Sequence, residues 1–196
     1  HGPLLAIATT PNNLLIAEGD ILRRLPLLAD EPTTDTDTLN FGDGYIRDIA
    51  ASDDVAYVLT ANHISVINLQ DFSIQQQIGG GGEALVLQGE HLLLLNATAG
   101  VRWYRRAPNG ELFIDTELAT MNSVQDAAII RENTALIADR AAGVEIFETG
   151  MMSGLLPTVQ ASRLLVQDNI LLGLDGHRLQ LADLALPSAP QLRGQY

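Results

Sequence analysis

The chain has 196 residues, of which 46% are hydrophobic and 18% charged; it contains no cysteine, and its formal net charge is −13. This length and apolar content predict one folded domain with a sizeable core, and the absence of cysteine excludes disulfides and thiolate metal sites. The acidic balance argues against nucleic acid and anionic membrane surfaces as partners, and no apolar run approaches the ~20 residues of a membrane span, so we expect no membrane insertion.

The predicted elements, taken in chain order, repeat one pattern five times. Each repeat has an apolar strand, a polar turn, a second apolar strand, a short break of small or polar residues, and an alternating third strand. The apolar residues that open the third strands are 43, 37, 43 and 35 residues apart, a spacing typical of repeat architectures. These residues are Ile21, Ile64, Val101, Val144 and Leu179.

A fourth strand is predicted in three repeats, at Ile74–Ile78, Leu112–Leu118 and Gln191–Tyr196. The second strands are apolar on both faces while the third strands alternate, as expected when a middle strand is covered on both sides and an outer strand only partly. Sheets of about four strands, at about forty residues each, are β-propeller blades, and the rival β-solenoid has shorter rungs. We therefore predict an all-β fold, a β-propeller of about five four-stranded blades.

The five predicted blades form one domain, which is either a closed ring or a fragment of a larger propeller. An open arc would expose two apolar blade faces, and these should make the chain aggregate or dimerise. The approximate repeat units are 4–45, 46–82, 83–123, 124–161 and 162–196.

Three runs carry a resemblance to a known repeat: AYVLTANHISVINLQD at 56–71, TALIADRAAGVEIF at 134–147 and LADLALPSAPQLRGQY at 181–196. They resemble the LVIVD-type repeat of bacterial and archaeal propellers, although the Asp-x-Ser/Asp-Pro turn of that repeat survives only as Asp183–Pro187. The resemblance implies a β-propeller in an exported, periplasmic or cell-surface protein, as part of a larger multidomain chain. It brings no general catalytic motif with it.

Three acidic residues, Asp48, Glu83 and Asp126, stand near the start of the first strand in successive repeats. One interpretation is a ring of carboxylates that binds a hard cation such as Ca²⁺ or a basic group of a ligand. The alternative is ordinary hydrogen bonding between blades. Both interpretations stay open at the level of the sequence, and no other cofactor is expected.

The turns between second and third strands should share one rim with the loops that follow the fourth strands, where propellers usually bind ligands. Two histidines and several carboxylates on this rim suit a metal or acid–base site, and their spacing suits hairpin turns equally well. No HExxH, GxSxG, SxxK or phosphate-loop motif occurs, so no catalytic residue is assigned. Besides the three acidic residues above, the candidate rim residues are Asn62, His63, Thr98, Asp139, Arg140, Asp175 and His177.

Three further segments have plain structural interpretations. Residues 30–44 are the most polar stretch; Asp35, Asp37 and Asp43 lack the spacing of an EF-hand and are expected in a solvated loop. The glycines at 79–82 predict a flexible connection between blades. Trp103 should pack between blades while Arg102, Arg105 and Arg106 face solvent, although an exposed Trp would mark a carbohydrate or protein contact.

The function predicted from these features is a non-catalytic protein-interaction or scaffold module that binds a protein or carbohydrate ligand through the rim loops. The alternative is a propeller enzyme, of hydrolase or oxidoreductase type, that uses the rim carboxylates and histidines with a divalent cation. A purely structural spacer is a third hypothesis.

Overall fold

The computed structural model of the chain describes residues 4–27, 37–42, 44–120 and 123–196. Within these ranges every regular element is a β-strand. No helix long and apolar enough to cross a membrane is found in them. The strands are β1 Leu4–Thr9, β2 Asn13–Glu18, β3 Ile21–Pro26, β4 Asp37–Asn40, β5 Asp48–Ala51, β6 Val55–Leu59, β7 His63–Asn68, β8 Ser73–Gly79, β9 Ala84–Gln88, β10 His91–Asn96, β11 Gly100–Arg106, β12 Leu112–Leu118, β13 Val124–Arg131, β14 Thr134–Asp139, β15 Gly143–Glu148, β16 Met151–Leu156, β17 Arg163–Gln167, β18 Ile170–Asp175, β19 Arg178–Asp183 and β20 Gln191–Gln195.

The strands of the described residues form five sheets of four strands each. In every sheet the spatial order of the strands follows the chain, from the first strand to the fourth. We call these sheets 1 to 5, for β1–β4, β5–β8, β9–β12, β13–β16 and β17–β20. The predicted all-β class and the predicted set of five four-stranded sheets are confirmed.

The fourth strands of the sheets are the elements that the sequence predicted least completely. The three predicted ones are present as β8, β12 and β20, and β4 and β16 were missed. Asp37 was predicted in a solvated loop; this is wrong, because it opens β4 and pairs with Arg24 across the β3–β4 ladder. An outer strand needs only backbone pairing, so its side chains carry no apolar pattern. Asp35 and Asp43 lie outside the described residues.

Two of the third strands, β7 and β15, are more deeply covered than predicted. All residues of the second strands β6 and β14 are buried, as expected for middle strands. However, β7 and β15 are also buried over nearly their whole length, on both faces. The third strands β3 and β19 are only partly covered, as predicted, and fourth strands such as β8 are mostly exposed.

The described residues group into two compact units. In the first unit, sheets 1 and 2 pack through a shared apolar core that includes Leu15, Leu22 and Val58. In the second unit, sheets 4 and 5 do the same through a core that includes Leu136 and Leu171. The first unit is His1–Leu87 with Arg106–Phe113, and the second is Gln88–Arg105 with Ile114–Tyr196.

Two glycines are required by close approaches of the backbone. A Cβ at Gly81 would lie 1.8 Å from the carbonyl oxygen of Ala61, so this residue of the 79–82 run packs tightly and is more than a flexible connection. Gly143 has a φ of 102° and its Cβ would lie 2.3 Å from the carbonyl oxygen of Leu156. At both positions a side chain would displace a neighbouring strand or turn.

Candidate functional site

Polar side chains cap the hairpin turns that follow the second strands. Asp139 is fully buried, and its Oδ1 accepts hydrogen bonds from the amides of Ala141 and Ala142 at 2.9 and 3.0 Å. Thr60 Oγ1 accepts from the amides two and three residues later at 3.2 Å each. Asn96 Oδ1 makes the same pair of contacts at 3.2 and 3.0 Å. These side chains satisfy amides that a tight turn leaves unpaired, which is a structural task.

Of the ten predicted rim residues, four belong to the first unit and six belong to the second. Most are exposed side chains of turns, whereas Asp139 is fully buried. His63 is partly buried, and its Nε2 lies 3.2 Å from Gln77 Nε2. No three His, Asp or Glu side chains of the described ranges are grouped so that they could hold a metal ion. The ligand-binding role of these residues stays a prediction. Those in the first unit are Asp48, Asn62, His63 and Glu83; those in the second are Thr98, Asp126, Asp139, Arg140, Asp175 and His177.

Asp48 connects β5 of sheet 2 to β9, the first strand of sheet 3. Its Oδ1 accepts from the amide of Ile49 at 2.9 Å, and its Oδ2 accepts from the amide of Leu85, in the first strand of the next sheet, at 2.8 Å. The hydrogen bonding between blades that the sequence left as an alternative is therefore present here. Glu83 directly precedes β9, and its role as a third matching carboxylate stays a prediction.

Asp126 repeats this arrangement in the second unit. Its Oδ1 accepts from the amide of Ala127 at 2.9 Å, and its Oδ2 accepts from the amide of Leu164 in sheet 5 at 2.8 Å. Each carboxylate thus spans two sheets through charge-assisted hydrogen bonds, which are stronger than neutral ones. Asp48 and Asp126 each link two neighbouring sheets by hydrogen bonds.

A cleft of about 470 Å³ opens in the first unit, and we call it the Tyr45 cleft; it is lined mainly by apolar surface. Tyr45 is 66% exposed, whereas the adjacent Ile46 is fully buried. The loop is held by the amide of Ile46, which donates to Gly19 O at 2.8 Å, and by that of Arg47, which donates to Leu59 O at 2.7 Å. The lining residues are Leu5, Tyr45, Ile46, Arg47 and Glu83.

Of the residues that line the Tyr45 cleft, sequence reasoning named only Glu83. The others come from β1 and from the loop before β5, and no local pattern connects these segments to Glu83 in the loop before β9. The signal available in the sequence was an aromatic residue, Tyr45, followed by an isoleucine in a segment that contains two glycines.

Trp103 is buried, which confirms that it packs and is not exposed. Its Nε1–H donates to His91 Nδ1 at 2.9 Å, and the two rings meet edge to face at 5.5 Å. Arg105 is exposed as predicted, and the partly exposed Arg102 pairs with Glu117 at 2.8 Å. The prediction that Arg106 faces solvent is wrong, because this side chain is partly buried and interacts with the buried Tyr57. The aromatic and basic cluster therefore offers no exposed Trp to a carbohydrate.

Tyr57 is a further buried aromatic residue with a polar contact. Its hydroxyl donates to the carbonyl of Gly110 at 2.9 Å. Burial raises the pKa of Tyr57 to about 12, against the opposing effect of the nearby Arg106. The neutral phenol is thus part of the core of the first unit.

Comparisons with known proteins identify the fold class. No protein-family model matches the sequence, and neither does any curated protein. Among solved structures, the chain is similar to the WD40 β-propeller domain of Doa1, with a TM-score of 0.75 and 12% identity over 100% of this chain and 69% of that one. It is also similar to a chain of the mitotic checkpoint complex, with a TM-score of 0.75 and 11% identity over 98% of this chain and 65% of that one.

The fold is therefore a β-propeller of four-stranded blades, and sheets 1 to 5 are its blades. The chain spans less than two thirds of the mitotic checkpoint chain that it matches. Identities of 11 and 12% carry the fold alone.

Proposed function

We propose that this propeller is a non-catalytic protein-interaction module, and that the Tyr45 cleft binds an extended segment of a protein partner. The observation that carries the proposal is the exposed Tyr45 ring beside an apolar cleft in a rigid loop. Tyr and Arg are enriched at the energetic centres of protein interfaces, because both combine a large contact area with hydrogen-bonding groups. The apolar lining suits an aliphatic or aromatic side chain of the partner.

The polar groups at the cleft would orient the bound partner segment. Arg47 Nη1 donates to the carbonyl of Gly82 at 2.7 Å, so the guanidinium is held in place while its side chain stays exposed. Glu83 brings a negative charge to the same lining. A partner segment with one apolar residue between an acidic and a basic residue matches these charges.

A protein partner is favoured over a carbohydrate, because Trp103, the residue that would mark a carbohydrate contact, is buried. Catalysis is not proposed, because the carboxylates of Asp48, Asp126 and Asp139 accept backbone hydrogen bonds that hold sheets and turns together. Protein binding through rim loops remains the function that the described residues support best.

The setting of this module is also a proposal. The LVIVD-type resemblance of residues 56–71, 134–147 and 181–196 supports an exported, periplasmic or cell-surface protein in which the propeller is one part of a larger multidomain chain.

A peptide-display selection tests the cleft. Random peptides displayed on phage are selected on the purified chain, and the enriched peptides are measured against Tyr45→Ala. Loss of the ring should weaken binding about 10- to 100-fold, the usual cost of truncating a central aromatic contact.

The matched control is Tyr196→Ala, which removes another exposed tyrosine ring, 80% exposed, in the second unit. It should leave peptide affinity unchanged. Enriched peptides that bind Tyr45→Ala as well as the unaltered chain would overturn the proposal, and so would a selection that enriches no peptide.

A further inference from the structure

A further cleft, of about 360 Å³, opens in the second unit, and we call it the His91 cleft. It lies where β10 packs against β13, beside the turns that lead from β9 into β10 and from β13 into β14. Small-ligand sites occupy about 300 to 1,000 Å³, so the volume suits a molecule at the small end of that range. The residues that line the cleft include Glu90, His91, Ile129, Arg131 and Glu132.

The imidazole of His91 has one nitrogen in use and one without a partner. His91 is 4% exposed, and Trp103 Nε1–H donates to its Nδ1 at 2.9 Å. Because an indole nitrogen only donates, Nδ1 carries no proton, and the neutral ring holds its proton on Nε2. Nε2 is buried and has no hydrogen-bond partner among the described residues. A buried N–H without an acceptor is costly, so this group favours a ligand that brings an acceptor oxygen.

Charged residues of both signs line the same cleft. Arg131, Glu90 and Glu132 are exposed. The Arg131 guanidinium lies 3.5 Å from Asn169 Oδ1, the outer limit of a hydrogen bond, so a carboxylate would be a stronger partner for it. The two glutamates would repel a ligand with a net negative charge and attract an ammonium group. The lining therefore favours a ligand that carries a carboxylate and an ammonium group together.

The remaining surface of the His91 cleft selects for an apolar group on that ligand. Apolar atoms form the larger part of the lining, and the buried Ile129 contributes to it. An aliphatic or aromatic substituent would remove this surface from water. A metal ion does not fit, because no three His, Asp or Glu side chains in the part of the chain that the structure describes are grouped to hold one.

We propose that the His91 cleft binds a free α-amino acid with an apolar side chain. The carboxylate accepts from His91 Nε2–H and pairs with Arg131, and the ammonium group pairs with Glu90 and Glu132. Because Nε2 is buried, the carboxylate enters past the exposed side chains, whose rotamers change on binding, as is common at binding sites. The inference does not rest on the Tyr45 cleft, which shares no lining residue with this one.

Trp103 provides a direct measurement of binding. It is the only tryptophan of the chain, and its indole N–H is bonded to the ring that would meet the ligand. The purified chain is titrated with free L-leucine, L-isoleucine, L-phenylalanine and L-methionine, while tryptophan fluorescence and the single indole N–H resonance are recorded. At least one of these amino acids should give a saturable change, with a Kd of about 10 μM to 1 mM for so small a ligand.

Ligand analogues combined with variants test the assigned contacts. Arg131→Gln and Glu132→Gln should each weaken binding of the amino acid about 10-fold, through loss of a charged contact. The amide of the amino acid lacks the carboxylate, so its weaker binding should not change further in Arg131→Gln. The N-acetyl derivative lacks the ammonium group and should be insensitive to Glu132→Gln in the same way. The matched control is Arg163→Gln, an equal change of charge at an exposed arginine of the second unit, which should leave the affinity unchanged.

The variant His91→Phe removes both ring nitrogens and should abolish binding, with circular dichroism as the check on its fold. Where this variant does not fold, Arg131→Gln and the two analogues decide, because Arg131 is exposed. The proposal is overturned by the absence of a saturable change up to about 10 mM of any of these amino acids, ten times the weakest expected Kd. An unchanged affinity in Arg131→Gln would overturn it too. A doubly blocked derivative, N-acetyl-leucinamide, that binds as tightly as the free amino acid would show that the cleft takes a peptide segment instead.

Discussion

The carboxylate of Asp139 has the most constrained environment of the predicted rim residues. It is fully buried and accepts two backbone amides, whereas Asp175, at the equivalent position of the sheet 5 hairpin, is exposed. Sequence alone could not separate them, because both end a second strand before a turn. Burial decides whether such a side chain holds the turn or faces solvent.

Replacing Asp139 therefore tests its structural role. Asp139→Ala should lower the free energy of unfolding by about 2 kcal/mol, because it leaves two partly buried amides of the turn without their acceptor. Asp139→Asn keeps the accepting oxygen and should cost less. Urea unfolding measures both, with Asp175→Ala as the control, which should stay within about 0.5 kcal/mol of the unaltered chain. Equal losses for the two alanine variants would contradict this account.

Tyr57 makes stability sensitive to alkaline pH. Because burial raises its pKa from 10.0 to about 12, the folded chain retains the phenol proton more tightly than the unfolded chain. This contribution, about 2 to 3 kcal/mol, is complete below about pH 10 and is lost as the pH rises through about 12. Urea unfolding at about pH 9 and about pH 11.5 should show the loss.

The variant Tyr57→Phe isolates that contribution. It should be less stable at about pH 9, by about 1 kcal/mol, because the hydrogen bond to Gly110 is gone. Its stability should then fall less steeply with pH than that of the unaltered chain. Part of the slope should remain, because burial also raises the pKa of Tyr104. Identical slopes in the two proteins would show that Tyr57 does not titrate as described.

At the scale of elements, the sequence predicted inner strands better than outer ones. A strand such as β14 is apolar because it is covered on both faces, so its composition reports its position. The outer strand β4, with the sequence DTLN, is held by backbone pairing with β3 and has no such signal. The missed β16 is likewise half exposed and contains Gly154.

The candidate site was less predictable than the strands, for a related reason. Turn residues such as Asn62 and His177 were found because turns have a local chemistry. The Tyr45 cleft joins Leu5 to the loops at 45–47 and 83, which are distant in sequence and meet only through the packing of sheets. Local patterns report strands and turns, whereas a cleft depends on which strands become neighbours.

At the scale of the whole molecule, a propeller behaves as a linear series of sheets, each stabilised by its own ladder and by the interface with its neighbour. Within the second unit, sheet 5 packs on sheet 4 through the shared core and through the hydrogen bond of the Asp126 carboxylate. Its attachment should therefore depend on that carboxylate.

Removing the Asp126 carboxylate should weaken the attachment of the whole of sheet 5 to sheet 4. Asp126→Ala leaves the amide of Leu164 without its acceptor, a loss of about 1 to 3 kcal/mol. Native-state hydrogen exchange should then show protection of β17–β20 amides reduced by about 10- to 100-fold, with β5–β8 in the first unit unchanged. The control is Arg163→Ala, the exposed side chain at the equivalent position of sheet 5, which should change protection little. A uniform decrease of amide protection across both units would mean that Asp126 stabilises the whole chain and does not specifically hold sheet 5 on sheet 4.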